Sequence, residues 1–203
     1  MKKLIATYHT QRNNKRKPYI TCYNTSMATG IDYILKLQGK DKTTIGCPIN
    51  MQLDDYLYDI IYSKETKKWI KDNAGRFGAW FLSSKPHTLA AVECYVFNKL
   101  MNSFGYKAEF LQNQTFNDFV NLINNENVPQ ILHGYFKPET RVGGHVIVGI
   151  GYEVTSGSFI CHDPYGDAKT KYVNKKGANV VYKNNHWFHH NDTSIWITAI
   201  KRI

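Results

Sequence analysis

Between Ile123 and Val128 the hydrophobic period of this chain changes from helical to extended, and that single change restricts the fold more than any other feature. After Cys22 the apolar residues Met27, Ile31, Ile34, Leu35 and Leu37 recur at helical spacing, and Gly39 can end that helix. Leu53 to Asn73 reads as one or two helices, and Thr88 to Phe104 as another, stopped by Gly105. Thr115 caps a shorter helix through Ile123, with Asp118 loosely completing a capping box. Beyond it, Val128 to Phe136, His145 to Val154, Ser158 to His162, Asn179 to Tyr182 and Ile195 to Ile200 read as strands between Gly, Asn and Lys turns. The apolar run Val146 to Ile150 predicts burial on both faces. Residues 4–9 read as a short edge strand, 40–50 as loop, and 74–87 as irregular. Helices first and a sheet second predict an α+β fold with segregated layers. With no repeat, linker or low-complexity tract in 203 residues, the expectation is one domain, 1–203.

Charge narrows the partners. The net charge of +10 is concentrated in residues 1–21, which hold no acid, and in the tail from Lys169 to Arg202, where only Asp192 opposes seven basic residues. Such fields attract nucleic acid, anionic membrane surface or wall teichoic acid, and equally describe a solvated basic face. A nucleic-acid binder needs aromatics among the cations; Tyr172, Tyr182, Trp187 and Phe188 partly meet this but read as well as strand packing, so nucleic acid is disfavoured. No apolar run approaches the ~18 residues of a membrane span, and the three-residue patch near Met1 is no export signal, so synthesis in the cytoplasm is expected. Four cysteines without CxxC spacing predict free thiols. The aromatic-rich stretch Phe77 to Phe81 reads as core cover.

Three residues carry the candidate chemistry. Cys22 stands where a loop enters a helix, and the unpaired N–H groups of a first turn favour a thiolate. Cys94 and Cys161 sit inside apolar elements and read as small hydrophobes. His145 follows Gly143-Gly144 at a strand start, where it can take the thiol proton and return it to a leaving amine. Asp163 closes the next strand before Pro164-Tyr165-Gly166; by itself that is a turn, but its carboxylate can orient an imidazole. Alternation along that strand points the neighbouring His162 the other way. Gln11, otherwise a polar loop residue, can place a side-chain amide beside the Cys22 N–H in an oxyanion hole. His186, His189 and His190 cluster without a carboxylate or cysteine partner, so no metal and no cofactor are expected.

Taken together, Gln11-Arg12-Asn13-Asn14, Thr21-Cys22-Tyr23-Asn24-Thr25-Ser26, the pair of segments Val128 to Phe136 and Gly143-Gly144-His145, and Asp163-Pro164-Tyr165-Gly166 form a specific pattern. It resembles the papain-like cysteine peptidases related to bacteriocin-leader-processing enzymes, in particular stand-alone members from phage and bacterial genomes. The likeness runs from about Tyr8 to Gly166. It implies a papain-like fold, an N-terminal helical lobe packed on a C-terminal antiparallel sheet with the site in the cleft. It also implies thioester catalysis by Cys22, His145 and Asp163. Tyr23 departs from the pattern, since many relatives carry a small residue after the nucleophile. A ring there would narrow a groove that Gly144 and Tyr165 also line. No transporter segments follow, which argues against an exporter peptidase.

For such an enzyme the basic surface points to bacterial cell-wall peptide, with an anionic wall polymer as a further partner. A phage lysin of this kind reaches the wall by holin release or virion delivery. Cleavage of a specific protein or leader peptide is the alternative, and a non-catalytic polyanion-binding module on the same fold is another.

Overall fold

The computed structural model describes residues 1–73, 90–134, 144–184 and 195–203. It is an α+β protein built around one antiparallel sheet. The helices are α1 (Cys22–Leu37), α2 (Leu53–Ile61), α3 (Lys64–Asn73), α4 (Ala90–Met101) and α5 (Phe116–Glu126). The strands are β1 (Lys2–Lys3), β2 (Tyr106–Gln114), β3 (Gln130–Gly134), β4 (His145–Glu153), β5 (Ser158–His162), β6 (Val180–Lys183) and β7 (Ile195–Arg202). The main path of the sheet runs β2-β7-β3-β4-β5-β6.

α1 is laid on this sheet by a stripe of small residues. Cys22, Ser26 and Gly30 repeat every four residues and so share one helix edge. Ser26 Oγ donates to the Val146 carbonyl of β4 at 3.2 Å. A methyl group at Gly30 would stand 2.8 Å from Ile200 Cδ1 of β7, so glycine lets the helix sit this close. The same edge therefore carries Cys22 toward the start of β4. On the helix's other side Met27, Ile31, Ile34 and Leu35 pack with Leu57, Ile61, Val96, Phe97 and Met101 into a core that Ile131 and Ile200 close from the sheet.

The layers are not fully segregated. α5 covers the opposite face, where Phe119 and Ile123 pack on Leu132, Ile147, Phe159 and Ile197. That explains why β4 is apolar through Ile147–Ile150: its two faces feed different cores. The capping box at Thr115 and Asp118 is present, with Thr115 N–H donating to Asp118 Oδ2 at 2.8 Å and Asp118 N–H to Thr115 Oγ1 at 3.2 Å.

Two local expectations are corrected. The edge strand is Lys2–Lys3, not 4–9; it pairs with Gly151 and Tyr152 of β4, just beyond the stretch that β3 occupies. After Leu4 the chain leaves the sheet, because its residues turn to the loop around Asp163. β2 was not anticipated, although Tyr106, Ala108 and Phe110 alternate with Lys107 and Glu109. Its polar second half, Gln112-Asn113-Gln114, hides that alternation and carries a register shift opposite β7. Between α1 and α2, the loop 40–50 contains a 3-10 turn, Lys42–Ile45. The stretch 74–87, Phe77 to Phe81 and the ends of the predicted segments at Thr88 and Phe136 lie outside the described residues.

Candidate active site

Cys22 is the first residue of α1 and is partly exposed. The first helical hydrogen bond runs from Thr25 N–H to the Thr21 carbonyl at 3.0 Å, so the amides of Cys22, Tyr23 and Asn24 have no acceptor within the helix. Thr21, at the cap position, does not satisfy them. Its side chain makes no capping bond, and its hydroxyl instead accepts from Asn14 Nδ2 at 2.9 Å. The sulfur thus stands at an uncapped helix start, where a developing negative charge is favoured.

His145 opens β4 and Asp163 follows the end of β5, the neighbouring strand in the sheet. Their side chains meet: His145 Nε2–H donates to Asp163 Oδ1 at 2.8 Å. The Cys22 side chain also acts on this ring and favours its charged form. Burial works against a charged ring here. The Asp163 charge and hydrogen bond, then the Cys22 hydrogen bond and charge, outweigh it and push His145 up to about 10. An imidazolium held between a carboxylate and a sulfur is the ion-pair arrangement that activates a thiol nucleophile.

Asp163 is fully buried, and both oxygens are satisfied. Oδ1 also accepts from the Tyr165 N–H at 2.9 Å, and Oδ2 accepts from the Tyr182 hydroxyl at 3.0 Å. The Tyr8 hydroxyl donates to the Asp163 carbonyl at 3.1 Å and accepts from Gly177 N–H at 3.1 Å. His162 points away and bonds to the Ala6 carbonyl and the Asn179 N–H. Tyr8, Gly177 and Tyr182 were not singled out from the sequence as part of the site. Tyr182 left a usable signal: it is a buried position on a strand where Val181 and Lys183 are exposed, and a buried phenol needs a polar partner.

The other sequence candidates divide. Gln11 is buried in a 3-10 turn whose backbone N–H donates to the Pro164 carbonyl at 3.0 Å, next to Asp163. Its Nε2 donates to the Pro18 carbonyl at 2.6 Å, which leaves one amide hydrogen for another acceptor. Gly144 is exposed, with nothing near the position of a Cβ. Tyr165 is largely buried, its ring under the Arg12 guanidinium at 3.9 Å and edge-on to Tyr172 at 5.0 Å. Tyr23 is not brought to an open groove. It is 3% exposed and part of the helical core, because the helix turns the residue after Cys22 inward.

The two basic segments flank this centre. Arg12 Nε donates to the Tyr165 carbonyl at 2.6 Å, tying the loop with Lys15, Arg16 and Lys17 to the one that carries Lys169, Lys171, Lys175 and Lys176. All six of these lysines are exposed, and so is Arg16, which pairs with Asp59 at 3.1 Å. Among the described residues no group of His, Cys, Asp and Glu could hold a metal ion, and no helix is long and apolar enough to cross a membrane. The candidates His186, His189 and His190, with Trp187 and Phe188, lie outside the described residues.

Residues 4–189 match the family model described as Peptidase_C39 like family. No curated protein matches the chain.

Proposed function

The chain belongs to the Peptidase_C39 like family, a cysteine peptidase family, and from that premise we propose that Cys22 is its nucleophile, His145 its general base and acid, and Asp163 the group that orients His145. The observation that carries this reading is the 2.8 Å bond from His145 Nε2 to Asp163 Oδ1, on a ring whose charged form Cys22 also favours.

The steps follow from the positions. The Cys22 thiolate attacks a peptide carbonyl carbon. The oxyanion forms at the uncapped start of α1, where the Cys22 N–H and the remaining amide hydrogen of Gln11 can donate to it. His145 gives its proton to the leaving amine, the C–N bond breaks, and a thioester remains. Water, deprotonated by the now neutral ring, then attacks the thioester and releases the acid and the thiolate. Asp163 is fully buried and holds the ring in one orientation through both halves of the cycle.

For the substrate, the proposal is a peptide of the bacterial cell wall, cleaved by an endopeptidase or amidase of phage or bacterial origin. The support is the placement of exposed lysines on both sides of the centre, which suits a peptide embedded in anionic polymer. The test is muropeptide mass analysis of purified walls treated with the wild type and with Cys22→Ala. Loss of a nucleophile costs about 10⁴–10⁶ in rate, so new termini should appear with the wild type alone. Unchanged walls, with Cys22 still selectively alkylated, would move the substrate to a protein or leader peptide.

A further inference from the structure

The start of α2 grips the loop that leads from Gln11 to Cys22. Gln52 Nε2 donates to the Asn13 carbonyl at 3.0 Å. Asp55 accepts the Lys15 N–H on Oδ2 at 3.2 Å and the Arg16 N–H on Oδ1 at 2.9 Å. Asn14 is held at one remove: its Nδ2 donates to Thr21 Oγ1 at 2.9 Å and Thr25 Oγ1 at 3.1 Å, and Thr25 in turn donates to Asp54 Oδ2 at 3.2 Å. Four consecutive loop residues, Asn13 to Arg16, are thus tied to one helix end.

Acids in a first helical turn ordinarily serve their own helix. Asp55 is 4% exposed, and its two oxygens go to another segment's amides instead. That segment cannot order itself easily: Arg12, Lys15, Arg16 and Lys17 repel one another, and Lys17 already occupies a positive φ of 43°. The link to the chemistry is Pro18, whose carbonyl accepts from Gln11 Nε2 at 2.6 Å and so fixes how that amide is turned. A loop that slips at Lys15 and Arg16 moves Pro18 and turns the amide away.

We infer that Asp55 is a positioning residue for the oxyanion side of the site, acting through the 13–18 loop on Gln11 without touching substrate. The inference rests on the assignment of Cys22 and Gln11 made above. Two reactions of Cys22 separate it from a general role in folding. Alkylation by iodoacetamide needs the thiolate but forms no oxyanion, whereas hydrolysis needs both.

The experiment compares wild type, Asp55→Asn and Gln52→Ala. Hydrolysis is followed on purified peptidoglycan and on a fluorogenic peptide library, and Cys22 alkylation is followed by mass spectrometry. Asp55→Asn keeps the shape but turns an NH2 toward a loop N–H. It should lower kcat by about 10-fold or more with KM little changed, while the alkylation rate stays within about twofold of wild type. Gln52→Ala, which removes only the Asn13 tie, should act in the same direction more weakly and guards against a folding defect in Asp55→Asn. Unchanged kcat in both variants, or alkylation and hydrolysis falling together, would overturn the positioning role. A wild type whose Cys22 neither alkylates selectively nor supports hydrolysis would overturn the site assignment first, and this role with it.

Discussion

The Tyr182 hydroxyl donates to Oδ2 of Asp163 at 3.0 Å, on the oxygen that His145 does not use. Burial and the adjacent carboxylate push the phenol well above its usual range, so Tyr182 stays protonated and serves as a donor. Its oxygen also accepts the Ala168 N–H at 3.0 Å, which fixes the direction of that donation. Tyr182→Phe keeps the ring and leaves one carboxylate oxygen and one amide without partners. A stability loss of about 1–3 kcal/mol is expected from chemical denaturation. Hydrolysis should also slow, because the carboxylate that orients His145 has lost one of its anchors. A variant with lower stability but an unchanged hydrolysis rate would make Tyr182 a packing residue only.

The raised His145 fixes a sign for pH. Its ring gains its proton more readily folded than unfolded, so the stabilisation is fully present below about 6.5 and is lost as pH rises through about 10. Asp163→Asn removes the main cause of the upward shift. The part of the stability gap between wild type and Asp163→Asn that this proton carries should therefore be fully open below about pH 6.5 and close by about pH 11. Hydrolysis by the variant should fall by about 10²–10⁴, with its basic limb moved to lower pH. Parallel stability curves across that range would contradict the assignment.

Thiol labelling should be confined to one site. Burial pushes Cys47 up, and it pushes Cys161 up with Asp163 beside it. Cys94 is raised to about 12 by burial and then by the charges of Glu93 and Glu109. All three therefore remain thiols near pH 7, while Cys22 faces an imidazolium. Brief treatment with iodoacetamide and peptide mapping should find the adduct on Cys22, and His145→Ala should slow it by 10-fold or more. Labelling of Cys94 at a comparable rate would remove the basis for singling out Cys22.

How much of this was legible in the sequence depends on the range of the interaction. α1 could be read because its stripe repeats locally, and the capping box at Thr115 needs only four residues. Cys22, His145 and Asp163 could each be read from their local setting, at a helix start, a strand start and a strand end. Tyr23 was misplaced because the residue after a helix-start cysteine faces the core or the cleft according to how the helix lies on the sheet, which Ser26 and Gly30 decide. The opposite-face packing of α5 and the grip of Asp55 on Lys15 and Arg16 depend on where distant segments arrive. No periodicity announces them.

Gly177 shows the same long-range dependence at the site itself. Its carbonyl accepts the Asp163 N–H at 2.9 Å, and a Cβ at Gly177 would stand 2.0 Å from the Asp163 carbonyl oxygen and 2.9 Å from that of Gly166. Gly177→Ala must therefore push back the backbone that carries Asp163. A shift of about 1 Å there would break the alignment of Asp163 with His145, and misplacement on that scale costs on the order of 10²-fold in rate. Strain from forcing a methyl into a packed site is expected to lower stability by about 1–3 kcal/mol. Gly39→Ala is the matched control. Gly39 has a φ of 65° but nothing near its Cβ position, so alanine there should cost about 1–2 kcal/mol and leave the rate unchanged. The comparison needs only thermal unfolding and the hydrolysis rate of both variants. If Gly177→Ala lost no more activity than Gly39→Ala, the Asp163 turn would have room to move, and the close passage of Gly177 would not be what holds it.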